Sequence, residues 1–120
     1  MANNILGTAL ATCSTNPITG FFRDGCCHTN GTDHGMHTIC VAVSSEFLAF
    51  SKLAGNDLST PRPDFQFPGL TPGDRWCLCL NRWLEALESG VAPPIILEAT
   101  HASVIEFVDF EILLEHEFKE

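Results

Sequence analysis

Cysteine is the residue type in this chain that is best suited to chemistry, and its positions follow a pattern. Three of the six cysteines lie in a long irregular segment, residues 12–36, a fourth follows it shortly, and two follow a second such segment, residues 55–74. Loops of more than about 12–15 residues are uncommon in compact domains unless they serve a function. The pattern predicts a site built from two ordered loops and from thiols. The six residues are Cys13, Cys26, Cys27, Cys40, Cys77 and Cys79.

A nucleophilic thiol requires a basic or electropositive neighbour that favours the thiolate. Cys26 and Cys27 follow Arg23 and precede His28, and Cys77 comes shortly after another arginine. We therefore predict Cys26, Cys27 and Cys77 as candidate catalytic residues. The alternative is that the cysteines are buried structural residues, since a free cysteine packs like a small apolar side chain.

Three further residues are candidates for general acid or base catalysis. His101 follows a predicted strand and lies in a predicted turn, where side chains often line functional sites. Asp33 and Asp74 lie in the two irregular segments, one in each. The alternative for His101 is a purely structural role, in which its ring hydrogen-bonds the turn that contains it.

Zinc is the cofactor that the content of cysteine and histidine allows. Structural zinc takes four nitrogen or sulfur ligands in a tetrahedron, often from a Cys-x-x-Cys pair, and this sequence has no such pair. Cys77 and Cys79 share a face only if their segment is extended, because alternate residues of a strand point the same way. A structural zinc site is therefore the main alternative to thiol chemistry. Its candidate ligands are Cys26, His37, Cys40, Cys77 and Cys79.

Arginine is the second residue type whose placement suggests a site. All four arginines lie within or beside the two irregular segments. In a chain with a net charge of −9, a cluster of guanidinium groups would form a local binding site for carboxylate or phosphate. The alternative is that each arginine pairs with a neighbouring aspartate and fixes only the loop backbone. The predicted ligands for a small anionic molecule, in the same pocket as the thiols, are Arg23, Arg62, Arg75 and His37.

Length and composition limit the class of protein. A chain of 120 residues that is 45% hydrophobic predicts one domain, residues 1–120, with a core of its own. The net charge of −9 argues against nucleic acid and anionic membranes as partners, because phosphate groups bind basic surfaces. The N-terminal residues lack the basic start of a signal peptide, and the apolar runs are far shorter than the ~20 residues that cross a bilayer. We therefore expect a cytoplasmic protein with reduced thiols rather than disulfides.

Much of the negative charge lies in the C-terminal third of the chain. The last predicted helix and the residues after it carry several glutamates, among them Glu115, Glu117 and Glu120. A third interpretation is therefore a protein-interaction module, in which this acidic helix faces a basic partner.

The element pattern predicts an α+β fold with a small mixed, mostly antiparallel sheet of four or five short strands, about three helices and two long ordered loops. Short apolar or β-branched runs bounded by turn residues indicate the strands, and apolar residues at helical spacing indicate the helices. The predicted strands are residues 4–10, 37–43, 75–78, 95–100 and 103–108. The predicted helices are residues 45–53, after an N-cap at Ser44, then 81–89, and 110–117 after an N-cap at Asp109.

Six short strings, in matching order, resemble the family catalogued as domain of unknown function 2237. They are GFFRDGCC at 20–27, HTIC at 37–40, LSTP at 58–61, FPGL at 67–70, PGDRWCLC at 72–79 and ATH at 99–101. The resemblance extends over about residues 4–110. It implies an uncharacterised, mainly bacterial, stand-alone intracellular domain to which no activity is assigned, so it adds no catalytic residues to those above.

Overall fold

The computed structural model describes residues 2–119. Two strands and three helices form its regular structure, and three short 3₁₀ turns lie between them. The strands are β1 (His37–Ala42) and β2 (Arg75–Cys79), and the helices are α1 (Ser45–Leu53), α2 (Leu80–Glu88) and α3 (Phe110–Glu115). The 3₁₀ turns are Pro63–Phe65, Leu97–Ala99 and Ala102–Glu106. Among the described residues, no helix is long and apolar enough to cross a membrane.

The two strands form an antiparallel ribbon that is covered on both faces. Cys40 pairs with Cys77, and successive residues of each strand then point to opposite sides. Ile39 and Leu78 belong to the larger apolar cluster, which also contains most of the buried helical side chains. Cys40, Ala42 and Cys77 belong to a smaller cluster on the other side. Residues 39–43 and 76–80 are therefore continuous apolar runs, because both faces of the ribbon are buried there.

Helices α1 and α2 follow the strands directly and pack on the larger cluster. The Ser44 hydroxyl accepts a hydrogen bond from the Phe47 N–H at 3.1 Å, which caps α1 as predicted. In α2 the buried side chains include Leu80 and Trp83, at helical spacing. The indole Nε1 of Trp83 donates to the carbonyl of Pro93 at 3.1 Å, which satisfies its only polar atom.

The predicted strands at 4–10, 95–100 and 103–108 are wrong, so the sheet has two strands instead of four or five. Side-chain hydrogen bonds to the backbone explain the difference, because they stabilise turns in place of a ladder. The buried Asn4 amide bonds the backbone of Leu6 and Ala9 at 2.9 and 3.1 Å. The Thr100 hydroxyl donates to the Ile96 carbonyl at 3.0 Å and accepts from the Cys40 N–H at 3.1 Å.

Both long irregular segments are anchored to this framework. In the first, the N–H of Cys77 donates to the Thr19 hydroxyl at 2.9 Å, and Thr19 is fully buried. In the second, Leu58 and Leu70 are buried and joined by a 2.8 Å backbone hydrogen bond. The prediction of two ordered loops is consistent with these contacts, which fix each segment by its own hydrogen bonds and buried side chains.

Candidate functional site: a cysteine, histidine and aspartate in series

The end of the two-stranded ribbon brings a free cysteine against a histidine. Cys79 is the last residue of β2, His37 is the first residue of β1, and the two are paired across the ribbon. The register shifts between His37 and Ile39, so Thr38 is an extra residue that forms a bulge. With regular pairing Thr38 would lie opposite Cys79. Because of the bulge, His37 lies opposite Cys79 instead.

A buried carboxylate holds the imidazole ring. Asp33 is only 3% exposed, and its Oδ1 lies 2.7 Å from His37 Nδ1. Its Oδ2 accepts from the His37 N–H at 2.9 Å and from the Thr29 hydroxyl at 3.0 Å. Burial opposes ionisation of Asp33, but the hydrogen bonds from His37 and Thr29 outweigh it and lower the pKa of this carboxyl. Asp33 therefore fixes the Nδ1 side of the ring.

The histidine is held in its protonated form. Its hydrogen bond with Cys79 is the main cause that raises the pKa of His37 to about 9, against the opposing effect of partial burial, and Asp33 raises it further. At neutral pH the ring is thus an imidazolium between a carboxylate and a sulfur.

The thiol also lies at the start of a helix. Cys79 is the N-cap residue of the nine-residue helix α2. The first N–H groups of a helix, here including those of Asn81 and Arg82, have no acceptor within it and form its positive end. A cleft of about 400 Å³ opens at this point. It is lined by Gly35, Cys79, Asn81, Arg82 and Glu85.

The walls of the site are close to the ring and the sulfur. A Cβ atom on Gly35 would lie 2.9 Å from Cε1 of His37 and 3.3 Å from Sγ of Cys79, so only glycine fits between them without displacement. On another side the ring of Phe21 stacks on His37 at 6.0 Å between centroids. The imidazole is therefore fixed by its hydrogen bond with Asp33, by the ring of Phe21 and by the backbone of Gly35, which has no side chain.

Four of the six cysteines form disulfides, which corrects the expectation of reduced thiols. Cys13 is bonded to Cys40 and Cys27 to Cys77, with Cα–Cα distances of 5.9 and 5.4 Å. Each bond ties the first irregular segment to one strand of the ribbon. Cys27 and Cys77 therefore carry no free thiol, and their prediction as nucleophiles is wrong for this state of the protein. Within residues 2–119 the free thiols are Cys26 and Cys79.

Cys26 is half-buried and lacks the partners that Cys79 has. Its Sγ lies 3.8 Å from the Thr12 hydroxyl. The nearby Asp24 carboxylate accepts from the Cys26 N–H at 3.0 Å and lies 3.8 Å from the His28 ring. The local sequence around Cys26 thus supplies turn contacts, and the predicted activation of its thiol has no direct contact to support it among the described residues.

The predicted zinc ligands are divided between two places. His37 and Cys79 belong to the series described above, whereas Cys40 and Cys77 are disulfide-bonded to other residues. The sulfurs that lie within 4.8 Å of one another are those of Cys13, Cys27 and Cys77. Two of these three residues are outside the predicted ligand set.

Two of the predicted arginines line one pocket. This pocket of about 430 Å³ lies between the two irregular segments and is lined by Arg23 from the first, by Arg62 from the second and by Trp76. The guanidinium of Arg23 lies 5.9 Å from the Trp76 ring centroid. Arg62 lies over Phe65 at 4.9 Å and is paired with Asp64 at 3.2 Å.

The remaining predicted residues lie elsewhere. Arg75 points away from Trp76, because neighbours in a strand face opposite sides, and it lies 5.6 Å from the Phe118 ring. Asp74 accepts from the Thr71 N–H at 2.9 Å, and His101 accepts from the Ser103 N–H at 3.1 Å, so both stabilise turns. Burial, followed by the charge of His28, lowers the pKa of His101.

The acidic C-terminal residues stay at the surface. Glu115 and Glu117 are exposed, and Glu120 lies outside the described residues.

The model of a family described as uncharacterized protein conserved in bacteria (DUF2237) matches residues 3–117. The chain belongs to this family. The match agrees with the resemblance seen in the sequence strings. No curated protein matches the chain.

The sequence of this DUF2237 protein held two features that would have indicated the site. Asp33 and His37 are four residues apart, and Cys79 directly precedes a helix with strong apolar periodicity. Asp33 was predicted only as a general base, and Cys79 only as a zinc ligand. The pairing of His37 with Cys79 depends on the bulge, which leaves no mark in the residue pattern.

Proposed function

We propose that this DUF2237 protein is a thiol-dependent enzyme in which Cys79 is the nucleophile. His37 is its proton donor and acceptor, and Asp33 is a positioning residue that orients the ring. The observation that supports this proposal is the contact series from a buried carboxylate through an imidazole to a free, accessible thiol. Nucleophile, base and orienting group in hydrogen-bond series are the arrangement by which enzymes activate cysteine.

Acyl transfer is the reaction class that this arrangement fits. The Cys79 thiolate attacks the carbonyl carbon of a substrate in the cleft, a carbon–sulfur bond forms, and the bond to the leaving group breaks. The leaving group takes the proton from the His37 imidazolium. Water or another acceptor then attacks the thioester, gives its proton back to His37 and releases the thiolate. In this proposal the N–H groups of Asn81 and Arg82, at the start of α2, stabilise the negative oxygen of each intermediate.

Reaction of the free thiols with iodoacetamide tests the activated cysteine. In the folded, non-reduced protein at pH 7 we expect Cys79 to be alkylated about tenfold or more faster than Cys26, since thiolate fraction and access set the rate. Peptide mass mapping after short exposures measures both rates in one sample. Equal rates at the two cysteines would contradict the proposal.

Formation of an acyl-enzyme tests the reaction class. Incubation with a small activated thioester should add one acyl group to Cys79, detected by intact mass, and release the leaving thiol in a burst. Cys79→Ser should abolish both, and Cys26→Ser is the matched control that should retain them. Acylation at Cys26 alone, or release without a Cys79 adduct, would exclude the proposed nucleophile.

We propose, as a second function, that the pocket of Arg23 and Arg62 binds a small anion with a planar apolar body. Support comes from two guanidinium groups and three aromatic rings, those of Phe65, Phe67 and Trp76, around one cavity. The one carboxylate of the lining, Asp57, accepts hydrogen bonds from Ser59 and Thr60 in its own turn. A volume of about 430 Å³ is within the range of small-molecule sites, and such sites combine apolar walls with a few charged groups. This pocket and the thiol lie on opposite faces of β2, because Trp76 and Cys79 are three residues apart.

Tryptophan fluorescence tests the second pocket. Titration with benzoate, as a probe, should change the emission of Trp76, which lines the cavity, and Trp76→Phe should remove the response although buried Trp83 remains. Arg23→Ala should weaken binding about tenfold, since charge-assisted contacts are worth roughly 1.5–3 kcal/mol. Arg75→Ala is the control that should leave it unchanged. An unchanged titration in Arg23→Ala would contradict the site.

A further inference from the structure

Four half-cystines converge in one buried cluster apart from Cys79. The sulfurs of Cys13, Cys27 and Cys77 all lie within 4.8 Å of one another, and Cys40 is bonded to the first of them. The exposed fractions of all four residues are 4% or less. Two lie in the first irregular segment, and the other two, Cys40 and Cys77, are cross-strand partners in the ribbon. Three of the four sulfurs thus lie close together, and the sulfur of Cys40 is held beside them by its bond to Cys13.

The spacing of these sulfurs is close to that of a metal-bound set. In a tetrahedral site with zinc–sulfur bonds of about 2.3 Å, the sulfurs are roughly 3.8 Å apart. Sulfurs of different disulfides here are at most 4.8 Å apart in the three measured residues. Sulfurs within a disulfide are held at about 2.05 Å and would separate by less than ~2 Å once the bond is broken. Side-chain rotation can supply a change of this size.

The surroundings suit a structural metal rather than a catalytic one. The apolar residues packed with the four cysteines include Ala42, Ile96 and Ala99, and the buried hydroxyls of Thr19 and Thr100 are occupied by the N–H groups of Cys77 and Cys40. A closed site of this kind is the condition for four-coordinate structural zinc.

We infer that the reduced protein binds one Zn²⁺ through Cys13, Cys27, Cys40 and Cys77. A metal site then replaces the two disulfides when the surroundings are reducing. A dithiol reductant supplies two electrons and two protons to each disulfide and is itself oxidised to a disulfide, which yields four thiols. Binding of Zn²⁺ then displaces four protons to solvent. This inference does not rest on the proposed role of Cys79.

The site would preserve the same connections in both redox states. In the oxidised protein each disulfide ties the segment 12–36 to the ribbon, and in the reduced protein the metal would tie the same four points together. Asp33 belongs to this segment, so its position against His37 would survive reduction.

Metal titration under defined redox conditions tests the inference. Untagged protein, reduced with a phosphine and freed of metal by a chelator, is titrated anaerobically with Co²⁺ and then with Zn²⁺. We expect one equivalent of tetrahedral Co²⁺ with strong thiolate charge-transfer absorption, displaced by one equivalent of Zn²⁺. The same protein oxidised beforehand should bind neither. Less than ~0.2 equivalents of zinc in the reduced protein would overturn the inference, since structural sites bind tightly.

Ligand identity is tested by variants and by the wild-type protein. Cys26→Ser and Cys79→Ser, which change free thiols outside the cluster, should retain the metal, whereas Cys13→Ser and Cys77→Ser should lose it. Loss in Cys79→Ser with retention in Cys13→Ser would overturn the inference. Should the cluster variants fail to fold, X-ray absorption of the zinc-loaded wild type decides. Four sulfur ligands are expected, and a nitrogen ligand would place the metal at His37 instead.

Discussion

Cys79 gains its reactive setting from side chains that the sequence places far from it. The sulfur itself ends β2, whereas the ring that contacts it begins β1 and the carboxylate that holds the ring lies in the loop before β1. Each partner is fixed independently, since Asp33 accepts three hydrogen bonds and His37 also stacks on Phe21. Such fixation keeps the ring oriented before substrate arrives.

The first residue-scale prediction concerns the carboxylate. Asp33→Asn keeps the shape of the side chain but removes its charge, so the pKa of His37 should fall from about 9 towards its ordinary value. The NMR titration of His37 measures this shift directly. We also expect Cys79 to be alkylated about tenfold more slowly at pH 7, because less imidazolium is present to favour the thiolate.

If Asp33 had only a structural role, Asp33→Asn would change the stability of the protein but leave the pKa of His37 unchanged. The Asp24→Asn variant, which removes the same charge from an exposed aspartate in the same loop, is the control. Its His37 titration should match that of the wild type.

The second residue-scale prediction is a pH dependence of stability. The pKa of His37 is raised in the folded protein to about 9 from its ordinary value of 6.5. The folded state therefore binds the proton more tightly, and its stabilising contribution is complete below pH 6.5 and lost as the pH rises through about 9. Urea unfolding of wild type and His37→Gln at several pH values measures it. The difference in unfolding free energy should shrink across this range, and a difference that grows would contradict the prediction.

At the scale of elements, the residue pattern correctly predicted the segments in which buried side chains recur at strand or helix spacing. The β1 strand, the Ser44 cap with α1, and the change from β2 to α2 near residue 80 are confirmed. The strands expected at 95–108 are wrong because Thr100 and His101 turn the backbone with their own side chains. The bulge at Thr38 has no signature either, since it is defined by the partner strand.

Gly35 provides the prediction at this scale. Gly35→Ala would place a methyl group 2.9 Å from the His37 ring and 3.3 Å from the Cys79 sulfur, so the ring must move. Alkylation of Cys79 at pH 7 should slow by about tenfold or more, because the imidazolium then no longer faces the thiol. Kinetics of iodoacetamide labelling measure the effect.

Gly31→Ala is the matched control in the same segment. A Cβ there meets no described atom within 4 Å, so labelling of Cys79 should proceed at the wild-type rate. Similar slowing in both variants would mean that loop flexibility, and not the contact with the ring, governs the reactivity.

At the scale of the whole molecule, the sequence predicted that the two irregular segments meet, and Arg23 and Arg62 do line one pocket with Trp76. It also predicted that thiols and arginines share one pocket. Cys79 and the pocket of Arg23 and Arg62 lie on opposite faces of β2, although another arginine, Arg82, lines the cleft at Cys79. The disulfide pairing was beyond prediction, since six cysteines allow 15 pairings and only the folded chain selects among them.

The last prediction concerns the cross-links. In the oxidised, metal-free protein, replacing Cys13 and Cys40 together by serine removes a link over 27 residues and should lower the free energy of unfolding by about 3–4 kcal/mol. Urea unfolding without reductant measures the loss. Cys26→Ser, which removes a free thiol, should change stability far less. Equal effects of the two changes would show that the disulfide does not restrain the unfolded chain.

The extra residue in β1 makes the chemistry of Cys79 sensitive to strand length rather than to strand composition. Loss of a single residue between His37 and Ile39 would restore an unbroken ladder in which His37 stays opposite Cys79, but its backbone would lose the bulged conformation that sets the direction of the imidazole. Conservative exchanges within the apolar run should therefore be tolerated far better than any insertion or deletion there. A variant with one residue inserted or deleted at Thr38 should therefore still form the ribbon but lose the reactivity of Cys79.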